Sequence, residues 1–172
     1  MAEETMEILR NQHYTSSTAG FEVDICEPLR AAIQGTVTYD PMESAELVEK
    51  MPVRRYVTTF EVALEKTLTA CARHSQDPFT AALNFASAKN PGGGFLNGSL
   101  AQEEELATAS GLFVCIRESR MYEANRKNPQ RGLYQHYLIF SPDVPVLRDD
   151  DGLLLDVPYT VNILTVPAVN VG

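Results

Sequence analysis

The chain has 172 residues, 44% of them hydrophobic and 22% charged, which suits one well-buried domain and excludes a wholly disordered chain. Its 23 acidic against 14 basic side chains leave a net charge of −9, so the broad basic face of a nucleic-acid-binding protein is missing. An anionic ligand must then be held in a pocket by backbone N–H groups or helix N-termini, not by a field of Lys and Arg.

In chain order, Met6, Ile8 and Leu9 predict a short helix over Glu3 to Asn11, followed by a Thr-, Ser- and Gly-rich loop from Tyr14 to Gly20. A second short helix is expected over Pro28 to Ile33, and Gly35 to Met42 forms an extended piece ending at Asp40-Pro41. Residues 1–50 read as an N-terminal accessory segment and residues 51–172 as the main α/β region. There Tyr56 to Glu61 has the β-branched and aromatic enrichment of a strand. Val62, Leu64, Leu68 and Cys71 recur at helical spacing through Arg73; Asp77-Pro78 breaks that pattern, and Phe79 to Ala86 is a second strand. Strand, helix, strand predicts a right-handed βαβ unit with parallel strands and ligand-binding loops at their C-terminal ends.

A short helix follows from Leu100 to Ser110, with Ser99-Leu-Ala-Gln102 as a capping box at its start and Gly111 closing it. Met121 to Arg126 is helical, and Leu138 to Phe140 and Val144 to Leu147 are extended. Asp149-Asp-Asp-Gly152 is a turn that leads into Leu153 to Leu155 as a hairpin, and Tyr159 to Val166 is a last strand.

The N-terminus is acidic and lacks an apolar h-region, and no run approaches the ~20 apolar residues that span a bilayer. A soluble protein of the cytoplasm is expected, or of the nucleus in a eukaryote, with no membrane partner. Cys26, Cys71 and Cys115 fall in no CxxC or Cys/His pairing, so neither a disulfide framework nor a zinc site is indicated. Asp149 to Gly152 lacks the alternating spacing and later bidentate Glu of a calcium loop and reads as a turn. His13, His74 and His136 are scattered, Cys115 reads as core, and Tyr134 and Tyr137, near Ser141, either reach the site or pack, with packing the favoured reading.

Chemistry concentrates between Asn84 and Glu104. Gly92-Gly93-Gly94 follow a strand end, where absent Cβ atoms let the backbone approach a ligand and successive N–H groups can form a nest for a diphosphate. The plainer alternative is a turn whose glycines only satisfy positive φ angles. Gln102, Glu103, Glu104 and Glu105 then occupy the first two turns of the next helix, where the macrodipole alone stabilises each carboxylate by ~0.3–1 kcal/mol. Beside a diphosphate loop, the same carboxylates lie within reach of a glycosidic bond, to which one of them can donate a proton.

Through Asn84-Phe-Ala-Ser-Ala-Lys-Asn-Pro-Gly-Gly-Gly-Phe95 and Gln102-Glu-Glu104, the chain closely resembles the bacterial-type poly(ADP-ribose) glycohydrolases, a branch of the macrodomain superfamily. The similarity continues through Ala109-Ser-Gly111, Met121-Tyr122, Ser141-Pro-Asp-Val-Pro-Val146 and Arg148-Asp-Asp-Asp-Gly152. It implies a macrodomain-like three-layer α/β/α fold with a mixed sheet, and hydrolysis of the ribose–ribose bonds of poly(ADP-ribose). ADP-ribose, its polymer and ADP-ribosylated proteins are the implied partners.

Residue by residue, the resemblance makes Glu104 the catalytic acid/base and gives Glu103 the task of holding the reacting ribose. Gly92, Gly93 and Gly94 line the diphosphate, Asn84 and Asn90 match ribose-contacting polar positions, and Phe95 and Gln102 complete the substrate site. Burial against Phe95 is expected to raise the Glu104 pKa for work as an acid near neutral pH. No metal or cofactor is required. A non-catalytic ADP-ribose reader and a hydrolase of mono-ADP-ribosylated protein remain as alternatives. Family members normally continue past position 172 with a second glycine-rich loop and further strand–helix units. The resemblance therefore implies a domain incomplete at its C-terminus, open to completion by a complementing fragment.

Overall fold

A computed structural model describes residues 1–50, 66–73, 80–128 and 134–168. Its elements in chain order are α1 (Ala2–Asn11), β1 (His13–Thr15), β2 (Glu22–Asp24), α2 (Cys26–Gly35), β3 (Val37–Tyr39), α3 (Pro41–Lys50) and α4 (Thr67–Arg73). After these come β4 (Ala81–Ala86), a 3-10 turn (Phe95–Asn97), α5 (Gln102–Ala109), α6 (Leu112–Ile116), α7 (Arg120–Lys127), β5 (Leu138–Arg148) and β6 (Leu154–Pro167).

The main sheet has the order β3-β5-β6-β4. The first two pairings are antiparallel, whereas β4 runs parallel to β6 with Asn84 opposite Thr165. This is a mixed α/β architecture with a mixed sheet, as expected from the sequence. Apolar side chains from β4, β5 and β6 and from α4 to α7 form the main core around Ala82, Leu106, Ile116, Tyr122, Ile139 and Ile163. The alternation of buried and exposed positions along β4 turns Ala82, Asn84 and Ala86 inward and Leu83 and Phe85 outward.

Residues 1–50 supply β3 to this sheet and pack α1, β1, β2 and α2 against Leu147 and Leu154 in a second apolar cluster. Arg148, only 5% exposed, fastens that region: its guanidinium reaches the Glu4 carboxylate at 2.7 Å, the Gly152 carbonyl at 2.9 Å and Thr5 Oγ1 at 3.4 Å.

Several local expectations change. The Tyr14 to Gly20 loop begins instead with β1, because Tyr14 and Val23 bury on one face of an antiparallel ribbon with exposed neighbours on either side. Asp40-Pro41 is not the tail of an extended piece running to Met42 but opens α3. Asp40 Oδ1 accepts from the Met42 and Glu43 N–H groups at 3.0 Å, and Glu43 Oε2 accepts from Asp40 N–H at 2.8 Å.

The two extended pieces at Leu138 and Val144 are one strand, β5, interrupted by an irregularity between Ser141 and Val144. The Asp149–Gly152 hairpin turn is present, and Asp150 also reaches across to cap α4, accepting from Lys66 N–H at 3.2 Å and Thr69 Oγ1 at 2.6 Å. The Tyr56 to Glu61 strand, and with it the first half of the expected βαβ unit, lies outside the described residues. Of the helix expected to run to Arg73, the described part is α4.

Candidate active site

The parallel strand β4 ends at Ala86, and the chain turns through Ser87–Phe95 before α5 returns beneath it. The turn needs backbone angles that glycine adopts freely: Gly92 has φ 68° and Gly93 φ 59°. Its N–H groups are spoken for within the protein. Gly92 donates to Glu103 Oε1 at 3.1 Å, Gly93 to the Asn90 carbonyl at 3.0 Å and Gly94 to Glu104 Oε1 at 2.9 Å. The row of free donors expected for a diphosphate is thus, in this structure, a clamp on two carboxylates. The donors face the N-terminus of α5, where macrodipole and N–H groups both favour negative charge.

The expected capping box does not form. Ala101 is the N-cap of α5, in extended conformation and with no side-chain cap, so the helix starts at Gln102. The Gln102 amide is drawn to the outer edge of β4. Its Oε1 accepts from Phe85 N–H at 2.9 Å and its Nε2 donates to the Leu83 carbonyl at 2.7 Å, imitating a neighbouring strand. Nor does Gly111 end the helix: Ser110 is its C-cap, extended and bridged to Val146, and Gly111 instead precedes α6.

The adjacent glutamates are held differently. Glu103 is 4% exposed, with Oε2 accepting from Ser87 N–H at 2.6 Å and Oε1 from Gly92 N–H. Burial pushes its pKa up to about 7; the Glu104 charge adds to the rise, while the Ser87 and Gly92 N–H groups and the Asn84 amide act against it. Glu104 is half-buried and held through Oε1 alone, with no partner for Oε2 among the described residues. The deep burial expected at Glu104 therefore falls on Glu103. Phe95 is buried, its ring 5.1 Å from that of Phe113 and both rings close to Gly92.

Above the carboxylates opens a cleft of about 410 Å³ lined by Ser87, Gly93, Gln102, Glu103, Glu104 and Tyr134, with apolar walls from Phe85, Ala86, Ala88, Ala101 and Ala168. The structure thus brings Gly93, Gln102, Glu103 and Glu104 together on one opening. Asn84 lies beneath it, fully buried, its amide donating to Thr165 Oγ1 at 3.2 Å. Asn90 is exposed on the loop, and its carbonyl shapes the glycine turn.

Sequence reasoning passed over two contributors and favoured packing for a third. Tyr134 lines the cleft, while Tyr137 packs against the core as expected. Ser87 acts on Glu103 through its main chain, which carries no residue-type signal, and Thr165 enters only through strand register. Among the described residues, no cluster of His, Cys, Asp and Glu suits a metal ion and no helix is long and apolar enough to cross a membrane.

The family model for the microbial-type PARG catalytic domain, where PARG is poly(ADP-ribose) glycohydrolase, matches residues 2–149. The structure of the Thermomonospora curvata poly(ADP-ribose) glycohydrolase is 43% identical, with a TM-score of 0.87 over 98% of this chain and 62% of that one. The same enzyme bound to the inhibitor ADP-HPD gives a TM-score of 0.85 at 43% identity, over 98% of this chain and 61% of that one. The Deinococcus radiodurans enzyme in complex with ADP-ribose is 46% identical, with a TM-score of 0.70 over 82% of this chain and 58% of that one. The chain thus spans less than two thirds of the length of these relatives. None of the curated proteins matches it.

Proposed function

Because the chain belongs to the microbial-type poly(ADP-ribose) glycohydrolase catalytic-domain family, we propose that it hydrolyses ribose–ribose bonds of poly(ADP-ribose) and releases ADP-ribose. The observation that carries this reading is the unequal tethering of two adjacent carboxylates. Glu103 has both oxygens engaged by main-chain N–H groups, so it is fixed as an acceptor that orients a ribose hydroxyl. Glu104 lines the cleft with one oxygen engaged and the other without a partner among the described residues.

Glu104 protonates the departing ribose oxygen as the bond from that oxygen to the anomeric carbon breaks, and an oxocarbenium-like centre develops. Water attacks that carbon and returns a proton to Glu104, restoring the acid. Gly93 lines the cleft, where a side chain would collide with the Glu104 carboxylate and crowd that of Glu103, and leaves room for the ribose and its diphosphate. Tyr134 and Phe85 supply walls for the remainder of the ligand. We place the protein in the cytoplasm, with ADP-ribosylated proteins as its partners.

The test is cleavage of labelled polymer by the parent and by Glu104→Gln. Retained ADP-ribose binding with a rate at least about 100-fold lower supports the assignment, and a rate within about tenfold of the parent overturns it. A parent that binds ADP-ribose but turns over neither polymer nor mono-ADP-ribosylated protein is a reader, and one that turns over only the latter is a mono-ADP-ribosyl hydrolase.

A further inference from the structure

Two of the segments that line the cleft belong to no helix or strand. One is the turn over residues 87–94, which contributes Ser87, Ala88 and Gly93; the other is the stretch 134–137 before β5, which contributes Tyr134. A strand is held by its ladder, whereas segments of this kind depend on individual hydrogen bonds.

Consecutive residues in the last turn of α7 supply one such bond to each segment. Arg126 Nη1 donates to the Lys89 carbonyl of the turn at 2.6 Å. Asn125 Oδ1 accepts from the N–H of Gln135, the neighbour of Tyr134, at 2.9 Å. Asn125 is 1% exposed and both ends of its amide are used: Nδ2 donates to the Met121 carbonyl one helical turn back at 3.0 Å, which fixes Oδ1 toward Gln135. An enclosed Asn inside a helix is otherwise unfavourable, because the residue is a weak helix former and an unpaired buried amide is costly. The Gln135 carbonyl in turn accepts from Tyr137 N–H at 2.8 Å, and Tyr137 packs on the main core.

We propose that Asn125 is a positioning residue for Tyr134: by holding Gln135 N–H it sets the tyrosine in the cleft wall before a ligand arrives, while Arg126 ties the glycine turn to the same helix. The inference rests on the reading of the cleft as the ADP-ribose site, and it deepens that reading by assigning the support for one wall. Asn125 does not itself line the cleft. A wall fixed in advance spares the ligand the cost of ordering it, so Asn125 acts on affinity through Tyr134.

Calorimetric binding of ADP-ribose to the parent, Asn125→Ala, Tyr134→Ala and the double variant tests this. Ala suits a helix interior, so Asn125→Ala keeps α7. It should weaken binding about tenfold in the parent background and less than about twofold in the Tyr134→Ala background, where nothing is left to position. Unchanged affinity in Asn125→Ala, or equal losses in both backgrounds, overturns the proposal; a merely structural Asn125 gives the second result.

If Asn125→Ala does not fold, amide hydrogen exchange in the ligand-free parent decides. The Gln135 N–H should exchange at least about 100-fold more slowly than in an unstructured chain, and exchange at the unstructured rate overturns the proposal. The same measurement keeps the two ideas apart. A parent that binds no ADP-ribose defeats the functional reading, whereas Gln135 exchange bears on Asn125 alone.

Discussion

A Cβ atom on Gly93 would overlap the carboxylate of Glu104 and come within 3.2 Å of Glu103 Oε2, so the absence of a side chain at Gly93 is what lets the glycine turn sit on the paired acids. Gly98 provides the control, with φ 78° but nothing within 4 Å of its hypothetical Cβ. Both substitutions to Ala carry the strain of a left-handed backbone, on the order of 1–2 kcal/mol. Gly93→Ala must also displace the Glu104 carboxylate, and if Glu104 has the acid/base role proposed for it, misplacement by about 1 Å costs on the order of 100-fold in rate. Polymer cleavage should fall by about that factor in Gly93→Ala and stay within about threefold of the parent in Gly98→Ala, with similar melting temperatures for the two variants. Equal losses of activity would mean that strain alone, not contact with Glu104, is responsible.

Glu103 also predicts how stability varies with pH. Its pKa rises from an ordinary 4.5 to about 7 in the folded protein, chiefly through burial. Between those values the folded state holds a proton that the unfolded chain has released, so the contribution is fully present below about 4.5 and is lost as pH rises through about 7. Each pH unit between the two values is worth about 1.4 kcal/mol, so the loss is on the order of 3 kcal/mol. Glu103→Gln is neutral throughout and should flatten the decline in melting temperature between pH 4.5 and pH 7, even if it is less stable overall because its NH₂ meets a main-chain donor. Thermal unfolding of both proteins across that range is the measurement, and parallel curves would exclude Glu103 as the titrating group.

The contrast between Glu103 and Glu104 marks the boundary of what the residue string discloses. The glycines, the carboxylates, their spacing and the βα turn that joins them were legible, because residue type determines backbone freedom and helix-start electrostatics. The capping box of α3 was equally legible in Asp40-Pro-Met-Glu43 and was passed over in favour of an extended piece. What local pattern could not disclose was the use of each polar group. Whether the glycine N–H groups face solvent or the two acids depends on how α5 packs under β4, as does which acid is buried. Likewise, Ser99 to Gln102 satisfies a capping pattern locally, but the edge of β4, which no other strand pairs among the described residues, offers Gln102 a pair of partners that only the tertiary structure supplies.

That pairing leads to a third expectation. The Gln102 amide donates to the Leu83 carbonyl and accepts from Phe85 N–H, so an acceptor and a donor are both required, in that orientation. Gln102→Glu keeps the shape and the contact with Phe85 but sets a carboxylate oxygen against the Leu83 carbonyl. It should cost about 1–3 kcal/mol and, by loosening the start of α5, weaken ADP-ribose binding about tenfold. Gln102→Met, which loses both bonds without adding repulsion, should be the milder change. Calorimetric binding and melting temperatures for the two variants give the order; a Gln102→Glu protein as stable as the parent would show that the edge pairing contributes nothing.

Arg148 supports a last prediction, about how residues 1–50 are held to the sheet. Its guanidinium is almost wholly enclosed, whereas the Glu4 side chain it meets is 53% exposed. Removing the two partners is therefore not equivalent. Arg148→Ala empties a buried volume and strips the Gly152 carbonyl and Thr5 hydroxyl of a donor, a loss of about 3 kcal/mol or more. Glu4→Gln leaves the cation its two neutral acceptors, and water can approach from the open side, so about 1 kcal/mol is expected. At about 2–4 °C per kcal/mol for a chain of this size, the two melting temperatures should separate by several degrees. Neither residue lines the cleft, so cleavage by the folded fraction at low temperature should stay within about twofold of the parent. Equal destabilisation by the two substitutions would place the strength of this contact in the ion pair itself, not in the enclosed guanidinium and its neutral acceptors.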